Sequence, residues 1–399
     1  MRISRLNHMG LPLPSSKPEV WATGDTSIQV TWGNLGPGKI TTHCSPAAPT
    51  VVADHGGGPG AVTINGLEPG TSYTVRLDLA PLNPSLRHQA RRVDLTATTL
   101  TPPPGELLSR VATISDMHIG ARHWGLLKQM FDNNAELPDP FPLRCARSAF
   151  DEIRAWQPDL VVVKGDATHH QDIDHFEAVG QLFDAYADLE MIMIPGNHEV
   201  DEEGYNLSPV VPATLGEREL PIIRTAEHRD LPGLRVVAAD TTVEGAGKGT
   251  LSQTGDQTVD LVAQADGPYL VAIHHHLQRY PFPTYYPLGI PAPSSTSFLE
   301  RLAQINPNGF VTSGHTHRNR TRHHENIPVT EVASTRDWPG VWAGYSVYEG
   351  GISQCVWRTP HPDAISWHEY SRTALLCHWQ RWSSGTREQR CFTHRWTGI

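Results

Sequence analysis

Five short apolar runs in this chain each end in residues that can hold a metal ion. "RVATI" (Arg110–Ile114) leads into "SDMH", "DLVVV" (Asp159–Val163) into "KGD", and "MIMI" (Met191–Ile194) into "PGNHE". Further on, "YLVAI" (Tyr269–Ile273) leads into "HHH" and "GFVTS" (Gly309–Ser313) into "GHTHR". Such runs, bounded by Gly, Pro and polar residues, predict strands buried on both faces. Between them, Arg144–Trp156 places Ala146, Phe150 and Ile153 at helical spacing. His175–Leu189 does the same with Phe176, Val179, Leu182, Phe183 and Tyr186. Buried strands alternating with amphipathic helices predict an α/β fold whose sheet is covered on both sides.

In open α/β sheets ligands bind beyond the carboxyl ends of the strands, where the loops converge. The five runs would deliver Asp116, His118, Asp166, Asn197, His198, His274, His315 and His317 to one edge. Carboxylates and imidazoles crowded out of water are unstable alone, and cations neutralise the acids and occupy the imidazole lone pairs. The D-x-H and H-x-H spacings suit this, because residues i and i+2 of an extended segment point the same way. No cysteine stands among these positions, which favours Mn, Fe or Zn over a thiolate site.

The blocks "DMH" (Asp116–His118), "GD" (Gly165–Asp166), "GNHE" (Gly196–Glu199), "VAIH" (Val271–His274) and "GHTH" (Gly314–His317) resemble, in order, the five signature blocks of the calcineurin-like metallophosphoesterases. The resemblance implies a four-layer α/β/β/α sandwich and a centre of two divalent or trivalent ions (Mn, Fe or Zn). Asp166 would bridge them, with Asp116, His118 and His317 completing one site and Asn197, His274 and His315 the other. The V-x-x-H spacing favours His274 as the ligand over His275 or His276. A hydroxide bridging the ions would attack the phosphorus. His198, oriented by Asp116, would stabilise the transition state or protonate the departing alkoxide.

Purple acid phosphatases, which also carry an N-terminal β-sandwich, use D-x-G at the first block and a tyrosine where this chain has His169. The D-x-H block therefore resembles the DxH-type (class III) phosphodiesterases, and hydrolysis of a phosphodiester, a small molecule or a nucleotide, is expected. A phosphomonoesterase or protein phosphatase, and a catalytically inactive metal-binding scaffold, are the alternatives. Candidate substrate-binding residues are His169 and His170, Tyr280 in the Pro- and aromatic-rich "LQRYPFPTYYPLGIPAP" (Leu277–Pro293), and Arg318 beside His317. The bland readings are solvated loop histidines, a loop packed on its own domain and an exposed arginine.

The first hundred residues have another texture. Short strand-like runs separated by Gly, Pro and Asn turns read as a small all-β sandwich over residues 15–100. In it, "LEPGTSYTVRL" resembles a fibronectin type III signature, with Tyr73 at the corner position. The sandwich would serve as a spacer or as a docking surface for a protein partner. Residues 1–14 form an N-terminal extension and 101–108 ("TPPPGELL") a Pro-rich linker. The metallophosphoesterase domain is expected over 109–345, with a β-rich extension at 346–399.

A net charge of −10 counts against nucleic acid or an anionic membrane as partner. No run approaches the ~18 apolar residues of a membrane span, and the N-terminus lacks the apolar core of a secretory signal. Five scattered cysteines suit reduced thiols, so a cytoplasmic protein is expected.

Overall fold

The computed structural model describes residues 18–35, 38–45, 51–55, 58–81, 91–125, 128, 130–132, 137, 139–200, 214–215, 218–282 and 286–398. The N-terminal extension (1–14) and part of the aromatic loop, 283–285, lie outside the described residues.

Among the described residues, seven strands between Glu19 and Thr98 form two sheets. Glu19–Thr23, Ser27–Leu35 and Gly58–Asn65 make one; Val51–His55, Gly38–Ser45, Ser72–Pro81 and Arg91–Thr98, in that spatial order, make the other. Period-two alternation sends Ile28, Val30, Trp32, Val62 and Ile64 from the first sheet, and Tyr73, Val75, Leu77 and Ala97 from the second, into a shared core.

The rest of the chain holds two six-stranded sheets. The first runs, across the sheet, Met191–Ile194, Leu160–Lys164, Leu107–Ile114, Val341–Tyr348, Gly351–Arg358 and Cys391–Arg395. Its first three strands are parallel and the others antiparallel. The second runs Ala226–Leu231, Leu234–Ala239, Tyr269–Ile273, Gly309–Ser313, Ile327–Glu331 and Arg320–His324, with the four inner strands parallel.

Alternate residues of the second sheet show how the layers stack. Val236, Ala238, Leu270, Ala272 and Phe310 share a core with Val111, Val161 and Tyr345 of the first sheet. Their neighbours Val237, Ala239, Val271, Ile273 and Val311 pack with Phe298, Leu299 and Leu302 of helix Ala292–Ile305 and with Val259 and Val262 of helix Gly255–Ala263. Helices Phe141–Trp156 and Ile173–Asp184 bury Ala146, Phe150, Ile153, Phe176 and Val179 in the core of the first sheet. The order of layers is α/β/β/α. Buried Lys164 ties the two sheets: its ammonium donates to Thr312 Oγ1 at 3.0 Å and to the Ser313 carbonyl at 2.8 Å. Burial pulls its pKa down to about 7.

Three details differ from the sequence reading. A boundary at 345/346 falls inside one strand, Val341–Tyr348, and the following strands complete the first sheet. The segment after them contains helices Pro362–Ser371, His378–Ser383 and Arg387–Arg390 as well as a strand. The sandwich is also docked on the first six-stranded sheet. Trp21 Nε1 donates to the Val356 carbonyl (3.2 Å), Tyr348 donates to Asp25 (2.6 Å), and the Gln29 amide bonds the backbone of Arg358 in both directions at 3.0 Å. Among the described residues no helix is long and apolar enough to cross a membrane.

Candidate metal centre

The parallel strands of both sheets end at one edge, and the backbone there is strained. Asp116, His118, Asp166, His315 and His317 have φ values of 56°, 46°, 49°, 67° and 51°. The left-handed region costs an L-residue roughly 1–2 kcal/mol, and such strain persists only where surrounding structure imposes it. Two glycines permit the close approach. A Cβ on Gly165 (φ 80°) would lie 2.6 Å from His274 Nδ1, and one on Gly196 would collide with Asp166.

The side chains fall into two donor groups. In the first, His317 Nε2 lies 3.4 Å from Asp116 Oδ1, and His118 Nε2 lies 3.3 Å from His317 Nε2 and 3.6 Å from Asp166 Oδ2. In the second, His274 Nε2 lies 3.5 Å from Asp166 Oδ1, 3.3 Å from Asn197 Oδ1 and 3.2 Å from His315 Nδ1. Asp166 thus turns one carboxylate oxygen to each group. The ligand atoms of Asp116, His118 and His317, and those of Asp116, Asp166 and His274, lie within 4.8 Å of one another. Cations with N/O bonds of about 2.0–2.2 Å would satisfy atoms that too few protons can serve, so the donor set fits metal ions.

Partners behind the imidazoles fix which nitrogen faces inward. His274 Nδ1–H donates to the Lys164 carbonyl (2.7 Å), His315 Nε2–H to the Leu288 carbonyl (3.0 Å) and His317 Nδ1–H to Asp337 (2.7 Å). His275 turns its Nδ1 to Thr241 Oγ1 at 2.9 Å, although it also lies within a group with His274 and His315.

Burial alone would raise the carboxylates and lower the imidazoles. For Asp116 and Asp166 the facing histidines, His317 and His274 respectively, reverse this and hold both carboxylates low. Burial pulls His274 and His317 down, but Asp166 lifts the first to about 9, and Asp337 with Asp116 lifts the second to about 10. His118 is held low by burial and then by the Arg336 charge, and His315 by burial and then by His274.

His198 stands next to the first group, its ring edge-on to His118 at 4.5 Å. Its backbone N–H donates to Asp166 Oδ1 (3.0 Å) and its Nδ1–H to the His169 carbonyl (2.6 Å). That carbonyl, and not Asp116, orients the ring; both Asp116 oxygens accept from the His315 backbone N–H at 3.1 Å. The His169 ring stacks on His198 at 5.5 Å, and exposed His170 lies against His169 at 4.2 Å.

Two sequence candidates land elsewhere. Arg318 is fully buried, donating to the Thr316 and Tyr286 carbonyls at 3.2 and 3.1 Å, with its guanidinium over the Trp382 ring. It is a structural cation and not an exposed phosphate clamp. Tyr280 lines a neighbouring cavity with Arg320 and Trp382, and none of the seven candidate metal donors lines that cavity.

Sequence reasoning missed three residues. Asp337 orients His317, and Arg336, itself buried, places Nη2 3.5 Å from the same Asp337 oxygen. Both follow the strand Ile327–Glu331, so a polar cluster behind a strand was again the available signal. Glu199 accepts from the backbone N–H of Asp166 (2.8 Å), Thr168 (2.7 Å) and Gly196 (2.6 Å), locking the "GD" and "GNH" turns together. Burial and then the Asp166 charge raise its carboxyl to about 7 against those donors.

Residues 109–319 match the family described as calcineurin-like phosphoesterase. A Psychrobacter arcticus protein named as a probable cyclic nucleotide phosphodiesterase is 25% identical over 244 residues, covering 60% of this chain and 83% of that one. A Xenorhabdus bovienii protein with the same description is 25% identical over 229 residues, covering 55% and 82%. Among solved structures, a dimetal phosphatase from Danio rerio aligns over 63% of this chain and 96% of its own, at 13% identity and a TM-score of 0.47. Because the family match runs through more than half of the chain and takes in all the strand ends that carry the clustered donors, this chain belongs to the calcineurin-like phosphoesterases, metal-dependent hydrolases of phosphate esters.

Proposed function

We propose that the chain is a binuclear phosphodiesterase acting on a small phosphodiester, with cyclic nucleotides the first substrates to test. The observation that carries this reading is Asp166, whose two oxygens serve two separate donor groups. Asp116, His118 and His317 would hold one ion, Asn197, His274 and His315 the other, with Asp166 shared. The names of the two relatives support the diester and the cyclic nucleotide.

When bound, the ions would supply a water of lowered pKa and neutralise charge on the phosphoryl oxygens. The protein's own groups do the rest. His198 has Nδ1–H fixed on the His169 carbonyl, so only its doubly protonated imidazolium form would hand the Nε2 proton to the leaving alkoxide, leaving the neutral ring with its proton on Nδ1. The buried Arg336 guanidinium adds a positive charge whose field reaches His118 and His169 and would suit a phosphoryl oxygen. His169, stacked on His198, and His170 against it would meet the remainder of the diester. For the N-terminal domain we propose a fibronectin type III-like sandwich, supported by its three- and four-stranded sheets and by Tyr73, whose hydroxyl accepts from the Glu68 N–H at 2.8 Å. Free thiols at Cys145, Cys355, Cys377 and Cys391 support a reducing, cytoplasmic setting.

The test compares bis(p-nitrophenyl) phosphate, p-nitrophenyl phosphate and 3′,5′-cyclic nucleotides with Mn²⁺ present. At least tenfold higher kcat/KM on a diester is expected. A strong preference for the monoester defeats the phosphodiesterase reading, and no turnover with metals bound supports the scaffold instead.

A further inference from the structure

We propose that a cavity at the free edge of the second sheet is a second ligand site, separate from the metal centre. Its ligand would be a small multiply charged anion bearing a flat ring, the chemistry of a nucleoside monophosphate. The cavity, about 510 Å³, lies between strand Arg320–His324, the segment after the His274 strand, and the C-terminal helices. Ligand pockets commonly measure about 300–1,000 Å³, so a nucleotide fits.

Charge gives the first half of the assignment. The chain as a whole is acidic, with a net charge of −10. Yet Arg279, Arg320, Arg322 and Arg381 line this one cavity against a single carboxylate, Glu331. Glu331 faces Arg320 across the strand pair, and among the described lining residues arginines outnumber carboxylates four to one. Guanidinium forks match phosphate oxygens in planar, paired hydrogen bonds. One of them is already held in place, since Arg322 Nη2 donates to the Leu277 carbonyl at 3.0 Å.

Exposed aromatic surface gives the second half. Tyr280, Phe282 and Trp382 line the same cavity while remaining 44%, 64% and 44% exposed. Tyr280 and Phe282 lie nearly parallel, 6.1 Å apart and 14° from coplanar, and present flat faces of the kind on which nucleobases stack. Buried Arg318 joins the cavity to the His315–His317 turn, bonding the Thr316 carbonyl and lying over the Trp382 ring, while His276 of the cavity lining lies 6.0 Å, ring to ring, from His315.

The experiment measures binding of 5′-AMP, inorganic phosphate and adenosine to the metal-loaded full chain by titration calorimetry, with bis(p-nitrophenyl) phosphate turnover read in parallel. The double variant R320A/R381A should weaken AMP at least tenfold while diester turnover stays unchanged. Phe282→Ala should weaken AMP but not phosphate, and adenosine should bind at least tenfold more weakly than AMP. AMP binding should also survive Asn197→Ala, which disables the metal centre. Equal AMP affinity in R320A/R381A and the parent overturns the site, as does loss of all AMP binding in Asn197→Ala. Phosphate binding as tightly as AMP overturns the nucleotide assignment. Diester turnover is a separate readout, so the proposed phosphodiesterase activity can fail without touching this result.

Discussion

His317 is held from behind by Asp337: Nδ1–H donates to Oδ1 at 2.7 Å, while Asp337 Oδ2 accepts from Trp379 Nε1 at 3.2 Å. The carboxylate is wholly buried, so its position is set by these bonds and not by solvent. It aims His317 Nε2 toward Asp116 and His118 and raises the basicity of the ring. Outer partners of this kind are worth about 10–100-fold in metal affinity or activity. Asp337→Asn should therefore weaken metal binding by about that factor, with circular dichroism and melting little changed. A competitive metal titration checks it, and an unchanged affinity would remove Asp337 from the centre.

The same carboxylates determine how the centre loads. Without metal, His317 keeps a proton up to about pH 10 and His274 up to about pH 9, because Asp337, Asp116 and Asp166 outweigh the cost of burial. A ligand nitrogen must be bare, so binding at pH 7.5 should release about two protons. Since the folded-state values lie above neutrality, apparent affinity should climb as pH rises through 9 and fall in acid. Calorimetry in buffers of different ionisation enthalpy counts the protons. Release of none would mean that these two histidines are not ligands.

Arg336 separates a substrate role from a structural one. A buried guanidinium is electrostatically unfavourable unless an anion answers its charge, and Asp337, which lies 3.5 Å away, is shared with His317. Arg336→Met should lower kcat/KM for a diester at least tenfold, a loss of roughly 1.4 kcal/mol, with metal content retained. Arg336→Lys should recover part of this by keeping the charge. Loss of bound metal in both variants would point instead to a role in holding Asp337.

The strand ends could be read from sequence because strands buried on both faces leave unbroken apolar runs, and the glycines and polar residues that follow stand out against them. The strand before Arg336 and Asp337 is buried too, but its residues, "IPVTE", include Pro328 and Thr330 and give no such contrast. Arg318 reads from the sequence as a substrate-binding residue or, on the bland reading, an exposed arginine, and arginines are mostly exposed. It is buried because Trp382, sixty-four residues later, comes back to cover it, and a single sequence does not display such contacts. The helix Pro362–Ser371 did have a local signal, a proline in its first turn behind His361, whose ring accepts from the Asp363 N–H. The run of tryptophans and turn residues around it masked that signal.

Trp21 tests whether the two parts of the molecule are one cooperative unit. It belongs to the first strand of the sandwich, yet it is buried in the core of the catalytic layers. Trp338 meets its ring edge-on at 6.0 Å, and the Arg390 guanidinium lies 3.8 Å above the ring and donates to the Trp21 carbonyl at 2.8 Å. Removing a buried tryptophan costs about 3–5 kcal/mol, and Trp21→Ala would also leave the Val356 carbonyl without its indole donor. If sandwich and catalytic layers unfold together, the variant should melt in one transition at a clearly lower temperature. Two transitions in the parent protein, with only the sandwich's moving in Trp21→Ala, would show that the docking surface contributes nothing to the stability of the layers that carry the metal donors.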